Sequence, residues 1–376
     1  MQSTGNRRTD TPVRSDWPAP EALTYDDAVR RRTDALYERV RSVVPAAEWP
    51  LHAPLIDAIN RLKTERDAVI LAHNYMTPEI FHCVGDATGD SLKLAQLAAD
   101  SDASVIVQAG VHFMAETAKI LSPDKTVLIP DLRAGCSLAA SITGDDVRRI
   151  RAAYPDYPIV TYVNTSADVK AEADICCTSS NAVPVVEAIA AQWDTDTAIL
   201  IPDEYLARNV AAQTDVRILT WKGACEVHER FTRAEIEQLR AEHPDAVILA
   251  HPECPPDVLR ATDFAGSTAA MASWVRERKP AEAILITECS MSDNVAVENP
   301  ETRFVRPCNL CPHMKRITLT GIYESLRQMR FEVDVDPAVA ERARASVQAM
   351  LDLPSSGPPP SFDTTRPARD AELVSV

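Results

Sequence analysis

Asp67–His73 reads DAVILAH, and the same seven letters return at Asp245–His251. The copies lie 178 positions apart, and midway between them a similar strand end reads IVTYVN, so His73, Tyr162 and His251 keep a beat of 89. Runs that are apolar almost throughout suit strands of a parallel sheet covered on both faces. A small hydroxyl residue follows each strand end, Ser91, Ser179 and Thr268, at 18, 17 and 17 residues on. Later in each unit comes a cysteine, Cys136, Cys225 and Cys311, at spacings of 89 and 86. The chain reads as one unit written three times, and the marked residues as one site built by three-fold repetition.

Around these strands the pattern alternates. Each unit opens with a short amphipathic helix, at Pro54–Thr64, Asp145–Ala153 and Arg233–Glu242. Before the second and third stand Thr143 and Thr232, with Asp146 and Glu235 three residues on. That is the capping-box spacing, in which hydroxyl and carboxylate satisfy free N–H groups at a helix start. After the first strand the spacing predicts a helix (Ser91–Ala99, Ala182–Ala191, Thr268–Arg278) and a second strand (Val105–Ala109, Ala198–Pro202, Ala283–Thr287). A shorter helical turn (Ala115–Leu121, Leu206–Ala212, Asp293–Val297) leads to a third strand (Thr126–Pro130, Val216–Trp221, Thr302–Arg306). Strand–helix alternation of this kind specifies an α/β fold of three similar three-layer αβα sandwiches with parallel sheets. We divide the chain into a disordered tail (1–20), a helical arm (21–52), units at 53–142, 143–231 and 232–320, a helical segment (321–352) and a second disordered tail (353–376).

In such sheets ligands bind beyond the carboxyl ends of the strands. His73, Asn74 and Tyr75 fall there in the first unit, Tyr162 and Asn164 in the second, His251 and Glu253 in the third. Packing about a pseudo-three-fold axis would bring the three ends together.

Composition narrows the function. At 376 residues the chain exceeds what one core serves, and 45% apolar with 25% charged residues is ordinary for a globular protein. A net charge of −16 with no block of Lys or Arg long enough to supply a basic face argues against a nucleic-acid or anionic-membrane surface. The polar, Pro-bearing start lacks the apolar centre of a signal peptide, and no apolar run is long enough to span a bilayer. Nine cysteines, an odd number without an export signal, point to reduced thiols or metal ligands rather than disulfides. A cytoplasmic location is the expectation.

Single cysteines are mostly small buried hydrophobes, and Cys83, Cys176, Cys254 and Cys289 are read that way. Three cysteines on one beat, with no fourth in register, fit a [4Fe–4S] cluster with one iron left open to act as a Lewis acid. Cys308 and Cys311 also form a lone C-x-x-C, half a zinc site or a redox pair, and Cys308 could compete as ligand; register and Pro312 favour Cys311. Ser91, Ser179 and Thr268 each stand where a helix should begin, as plain N-caps or as parts of anion-binding helix starts. His, Tyr and Glu at the strand ends supply acid–base groups, and Glu253 is the carboxylate lying directly within those clusters. His82, His112, His228, His243 and His313 are read as hydrogen-bonded loop residues.

The motifs AHNY (72–75), GDS (89–91), AGCS (134–137), YVNTSADVKAEAD (162–174), CTSSNA (177–182), IPDEYLARNVA (201–211), WKGACEVHERF (221–231), AHPEC (250–254), GST (266–268) and CPHMK (311–315) together resemble the quinolinate synthase family. The resemblance implies three αβα domains about a pseudo-three-fold axis and a [4Fe–4S] cluster on Cys136, Cys225 and Cys311. It implies condensation of iminosuccinate with dihydroxyacetone phosphate to quinolinate, a transferase step of NAD biosynthesis, with iminosuccinate received from L-aspartate oxidase. Carried over by position, His73, Ser91, Tyr162, Asn164, Ser179, His251, Glu253 and Thr268 line the substrate site. Tyr75 and Glu253 are the proton-transfer groups it implies, with Tyr162 and His251 beside them. Two rival expectations are another open-iron hydro-lyase and a non-catalytic iron–sulfur redox sensor.

Overall fold

The computed structural model describes residues 16–353, 361–367 and 369–375. Most of the expected N-terminal tail lies outside these residues. Helices α1 (Asp27–Val40) and α2 (Trp49–Glu65) form the arm. Here α2 begins at Trp49 rather than at the expected Pro54, because Pro50 sits in its first turn, where a missing N–H costs nothing.

Unit 1 runs β1 (Ala68–His73), α3 (Pro78–Phe81), β2 (Ala87–Gly89), α4 (Ser91–Asp100), β3 (Val105–Ala109), α5 (His112–Leu121), β4 (Thr126–Leu128) and α6 (Ser137–Ala140). Unit 2 runs α7 (Gly144–Ala153), β5 (Ile159–Tyr162), α8 (Ala167–Glu172), β6 (Ile175–Cys177), α9 (Ala182–Gln192), β7 (Thr197–Ile201), α10 (Glu204–Ala211) and β8 (Arg217–Thr220). Unit 3 runs α11 (Arg233–Glu242), β9 (Val247–Ala250), α12 (Pro256–Leu259), β10 (Phe264–Ala265), α13 (Thr268–Arg278), β11 (Glu282–Ile286), α14 (Cys289–Glu298) and β12 (Arg303–Val305). Helices α15 (Leu319–Gln328) and α16 (Pro337–Asp352) follow, then a two-residue strand β13 (Glu372–Leu373).

The three sheets repeat one order: β2-β1-β3-β4, then β6-β5-β7-β8 with β13 added at its edge, then β10-β9-β11-β12. All their ladders are parallel. The edge strands β2, β6 and β10 were not anticipated from sequence: they are two or three residues long, too short to carry a readable pattern. Both capping boxes form as expected, at Thr143/Asp146 and Thr232/Glu235. The main apolar core runs through all three units, holding Ile70, Val160 and Ile248 from their first strands.

The described part of the C-terminal tail is packed rather than disordered. Phe362 is buried and bridges Ala265 at the edge of the third sheet, while β13 pairs with β8 at the edge of the second. Exposed sheet edges recruit such partners because their N–H and C=O groups are unpaired. Among the described residues, no helix is long and apolar enough to cross a membrane.

Candidate functional site

The carboxyl ends of β1, β5 and β9 converge on one cavity. Its lining includes His73, Tyr75, Ser91, Tyr162, Asn164, Ser179, His251, Glu253 and Thr268, together with Cys136, Cys225 and Cys311. Every site residue expected from sequence therefore reaches the same space.

The strand tips are built alike in units 1 and 3. The ring Nδ1 of His73 accepts from the Tyr75 N–H at 3.2 Å, and Nδ1 of His251 accepts from the Glu253 N–H at 3.4 Å. Each histidine thus folds its own tip so that the residue two places on faces the cavity. Burial pulls both imidazoles down, His73 to about 4 and His251 to about 3, so both are neutral at neutral pH.

Glu253 is the centre of the polar network. Tyr162 Oη donates to its Oε1 at 2.5 Å, and His228 Nδ1 lies 2.7 Å from its Oε2. Burial alone would push this carboxyl up; His251, His228 and the Tyr162 hydrogen bond outweigh that and hold it below its usual range. Burial, with Glu253 close by, raises both Tyr75 and Tyr162, so each phenol keeps its proton. Asp203 is also buried and pushed up by burial and by Glu253; one of its oxygens caps α10 while Oδ2 finds no partner among the described residues.

Two members of the site were missed from sequence. His228 is fully buried, stacks on His251 with ring centroids 4.6 Å apart, and lies 3.2 Å from Cys225 Sγ. Its Nε2 is 2.9 Å from Thr287 Oγ1, which is 2.7 Å from Tyr75 Oη. A continuous line of hydrogen-bonding groups therefore joins Tyr75 of unit 1 to Glu253 of unit 3. The signal was Thr287's place directly past β11, at a strand end where ligands bind.

The hydroxyls do not cap their helices. Asp90 caps α4, accepting from the Lys93 N–H, and Ser267 caps α13, accepting from the Ala270 N–H. Ser91 and Thr268 are the first helical residues instead, and Ser179 precedes the α9 cap position, Asn181. The neighbours take the capping work because their extended backbones precede the first turn. This leaves Ser179 Oγ 3.2 Å from His251 Nε2, and Thr268 Oγ1 accepting from Asn74 Nδ2 at 2.8 Å.

The cysteines sit in loops tied to one another. Ser137 Oγ donates to the Ala224 carbonyl at 3.0 Å and accepts from the Glu226 N–H at 3.1 Å, joining the Cys136 and Cys225 loops. Gly223 permits this approach: a Cβ there would stand 2.5 Å from both the Pro202 carbonyl and Ser141 Oγ. Burial pushes the Cys136 thiol up to about 12 and raises Cys225 and Cys311 as well. Other buried thiols, Cys83 and Cys254 among them, are raised in the same way; what sets these three apart is that they line one cavity, where a bound metal would favour their thiolate form. The donor set thus fits a thiolate-held metal group. Cys225, His228 and Glu253 also have ligand atoms within 4.8 Å of one another, but Glu253 and His228 already satisfy each other.

One expectation about cysteine fails. Cys289 and Cys308 form a disulfide, with Cα atoms 4.9 Å apart. A backbone bridge between Glu288 and Asn309 brings the start of α14 against the loop after β12, a juxtaposition no sequence spacing announces. Cys308 is thereby removed as a rival ligand, and Cys311 faces the cavity.

Comparison with known proteins bears on most of the chain. The sequence profile of the quinolinate synthetase A protein family matches residues 57–352. A quinolinate synthase of Caulobacter vibrioides is 60% identical over 352 residues, 93% of this chain and 96% of the relative. Quinolinate synthase 2 of Mesorhizobium japonicum is 63% identical over 316 residues, 84% of this chain and 96% of the relative. The Xylella fastidiosa quinolinate synthase is 62% identical over 296 residues, 79% of this chain and 86% of the relative. The profile spans all three sheets, their tips and the three cysteines, and on that ground the chain belongs to the quinolinate synthetase A family.

Proposed function

We propose that this chain makes quinolinate, condensing iminosuccinate with dihydroxyacetone phosphate and releasing phosphate and water, as a transferase step of NAD biosynthesis. The observation that carries the reading is the meeting of three strand tips and three cysteines in one cavity. The names of the relatives support it. Because iminosuccinate is unstable, an L-aspartate oxidase would supply it, and both enzymes would work in the cytoplasm.

Cys136, Cys225 and Cys311 would hold a [4Fe–4S] cluster. When bound, that cluster supplies Lewis acidity toward a substrate hydroxyl or carboxylate. The remaining work falls to side chains. Both substrates are anionic, and the starts of α4, α9 and α13 turn backbone N–H groups toward the cavity side of the sheets. Ser91, Ser179, Thr268 and Asn164 would add hydroxyl and amide donors to the carboxylates and phosphate. Neutral His73 and His251 would orient the substrates.

Two proton-transfer groups then act from opposite sides. Glu253, held as a carboxylate, would accept a proton at Oε2 or Oε1. Tyr75 would donate from Oη and recover its proton through Thr287 Oγ1 and His228 Nε2. Tyr162, whose Oη already donates to Glu253, would keep that carboxylate aimed.

Anaerobically purified, iron-replete protein should form quinolinate from the two substrates, detected by its ultraviolet absorbance after chromatography. Absence of quinolinate from protein with full iron content would refute the reading; conversion of a hydroxy acid alone would favour a hydro-lyase.

A further inference from the structure

Each of the three tips exposes two backbone carbonyls on either side of the residue that faces the cavity. In unit 1 they belong to Asn74 and Met76 around Tyr75. In unit 2 they belong to Val163 and Thr165 around Asn164. In unit 3 they belong to Pro252 and Cys254 around Glu253. Tyr75, Asn164 and Glu253 are themselves spaced by 89 and 89.

One buried nitrogen bridges each pair. Asn294 Nδ2 donates to the Asn74 and Met76 carbonyls at 3.0 and 2.8 Å. Asn209 Nδ2 donates to the Pro252 and Cys254 carbonyls at 2.8 and 2.9 Å. Lys170 Nζ donates to the Val163 carbonyl at 2.8 Å and also to that of Thr165. All three side chains are buried, Lys170 completely. Two acceptors on each nitrogen leave no alternative orientation for the asparagine amides.

The pins pass from unit to unit. Asn294 is the sixth residue of α14 in unit 3 and holds the tip of unit 1; Asn209 is the sixth residue of α10 in unit 2 and holds the tip of unit 3. Symmetry would have α5 of unit 1 hold the tip of unit 2. Its sixth residue is Thr117, whose Oγ1 donates instead to the Phe113 carbonyl of its own helix at 2.8 Å. Lys170 of unit 2 takes the vacant task, with its Nζ 5.4 Å from the centroid of the Phe113 ring on that same α5. Burying an unpaired ammonium is costly, so this lysine remains only where its hydrogen bonds and the ring compensate.

We propose that Asn294, Asn209 and Lys170 are positioning residues of the reaction, each fixing one cavity-facing residue by clamping the carbonyls before and after it. Asn294 sets the direction of Tyr75, Asn209 that of Glu253, and Lys170 that of Asn164. Displacing a reacting group by about 1 Å can cost on the order of a hundredfold in rate. Loss of the first two pins should therefore lower kcat, because they aim proton-transfer groups. Loss of the third should act mainly on KM, because Asn164 lines the cavity and is assigned to substrate binding rather than to proton transfer. A merely structural role would not divide the variants in this way.

The kinetic half rests on the quinolinate-forming reading, so the test pairs it with a measurement that needs no turnover. Asn294→Leu, Asn209→Leu and Lys170→Met are compared with Asn299→Leu. Asn299 is also a buried asparagine on a backbone carbonyl, but it bonds Val295, one turn back, and touches no tip. Amide hydrogen exchange by mass spectrometry reads the peptides holding 73–76, 162–165 and 251–254. Each pin variant should speed exchange at least tenfold in its own tip and leave the other two unchanged, and Asn299→Leu should alter none. With turnover, Asn294→Leu and Asn209→Leu should lose at least tenfold in kcat, and Lys170→Met should raise KM by a similar factor. Lys170→Arg, which keeps the donors, should recover most of the loss. Should a leucine variant fail to fold, Asn294→Asp and Asn209→Asp, which keep the shape and remove at least one donor, replace it. Unchanged tip exchange in folded variants overturns the proposal, as does equal loosening of all three tips. A wild-type protein that makes no quinolinate refutes the functional reading and leaves the exchange test of the pins standing.

Discussion

Units 1 and 3 begin from the same seven residues and end in different chemistry. In both, a buried histidine folds the tip by accepting the N–H two residues on. In unit 1 that residue is Tyr75, linked through Thr287 to His228; in unit 3 it is Glu253, bonded by Tyr162 and paired with His228. A repeated strand thus fixes where a side chain stands, while the second position after the histidine sets whether a phenol or a carboxylate stands there.

The carboxylate side should be the more sensitive. Glu253→Gln keeps the shape and removes the proton acceptor, and kcat should fall by about a thousandfold, within the usual range for a general base. Steady-state kinetics on cluster-loaded protein checks this; a fall below tenfold would make Glu253 a binding residue. Tyr75→Phe should cost less, about a hundredfold, because its partners stay in place. His228→Gln should cost a similar amount, and the double variant little more than either alone, since the two share one line of hydrogen bonds. Full additivity would break that line.

The same comparison extends to stability. His82 ends α3 in unit 1, and the matching residue after α12 in unit 3 is the exposed Arg260. His82 is buried with neither ring nitrogen bonded, and burial pulls it to about 4. Unfolding releases it to take a proton near its ordinary value of 6.5. Its contribution is therefore complete above about pH 6.5 and is lost as pH falls toward 4, by up to about 3 kcal/mol. Denaturation midpoints between pH 7 and pH 4 should fall more steeply in the wild type than in His82→Phe. The smallest effects concern the caps. Ser267→Ala, which removes the hydroxyl that caps α13, should cost about 1 kcal/mol. Asp90→Ala should cost more, about 2 kcal/mol, because Asp90 Oδ2 also accepts from Ser180 of unit 2 at 2.7 Å. Chemical denaturation orders the pair.

Much of this was legible because repetition is legible. Long apolar strands and capping boxes are local signals, and β1, β5, β9, α7 and α11 follow from them directly. The edge strands β2, β6 and β10 are too short to carry a period, and they exist because a neighbouring strand offers unpaired groups. At the helix starts, GDS and GST each present adjacent residues able to cap, and sequence favoured the second where the fold uses the first. Thr287 and His228 lie outside the 89-residue beat of tips and so escaped notice, although they complete the network between Tyr75 and Glu253. The Cys289–Cys308 pairing and the packing of Phe362 depend on contacts between distant segments, which residue spacing does not encode.

The central claim is that three repeats deliver three cysteines to one metal group beside three different tips. Iron and sulfide content, with electron paramagnetic resonance of the reduced protein, should be measured in anaerobically prepared wild type, Cys136→Ala, Cys225→Ala and Cys311→Ala. The wild type should hold one [4Fe–4S] cluster per chain, each alanine variant should lose it or bind it weakly, and Cys308→Ala should retain it. Full cluster content in any of the three, or none in the wild type, would contradict the account.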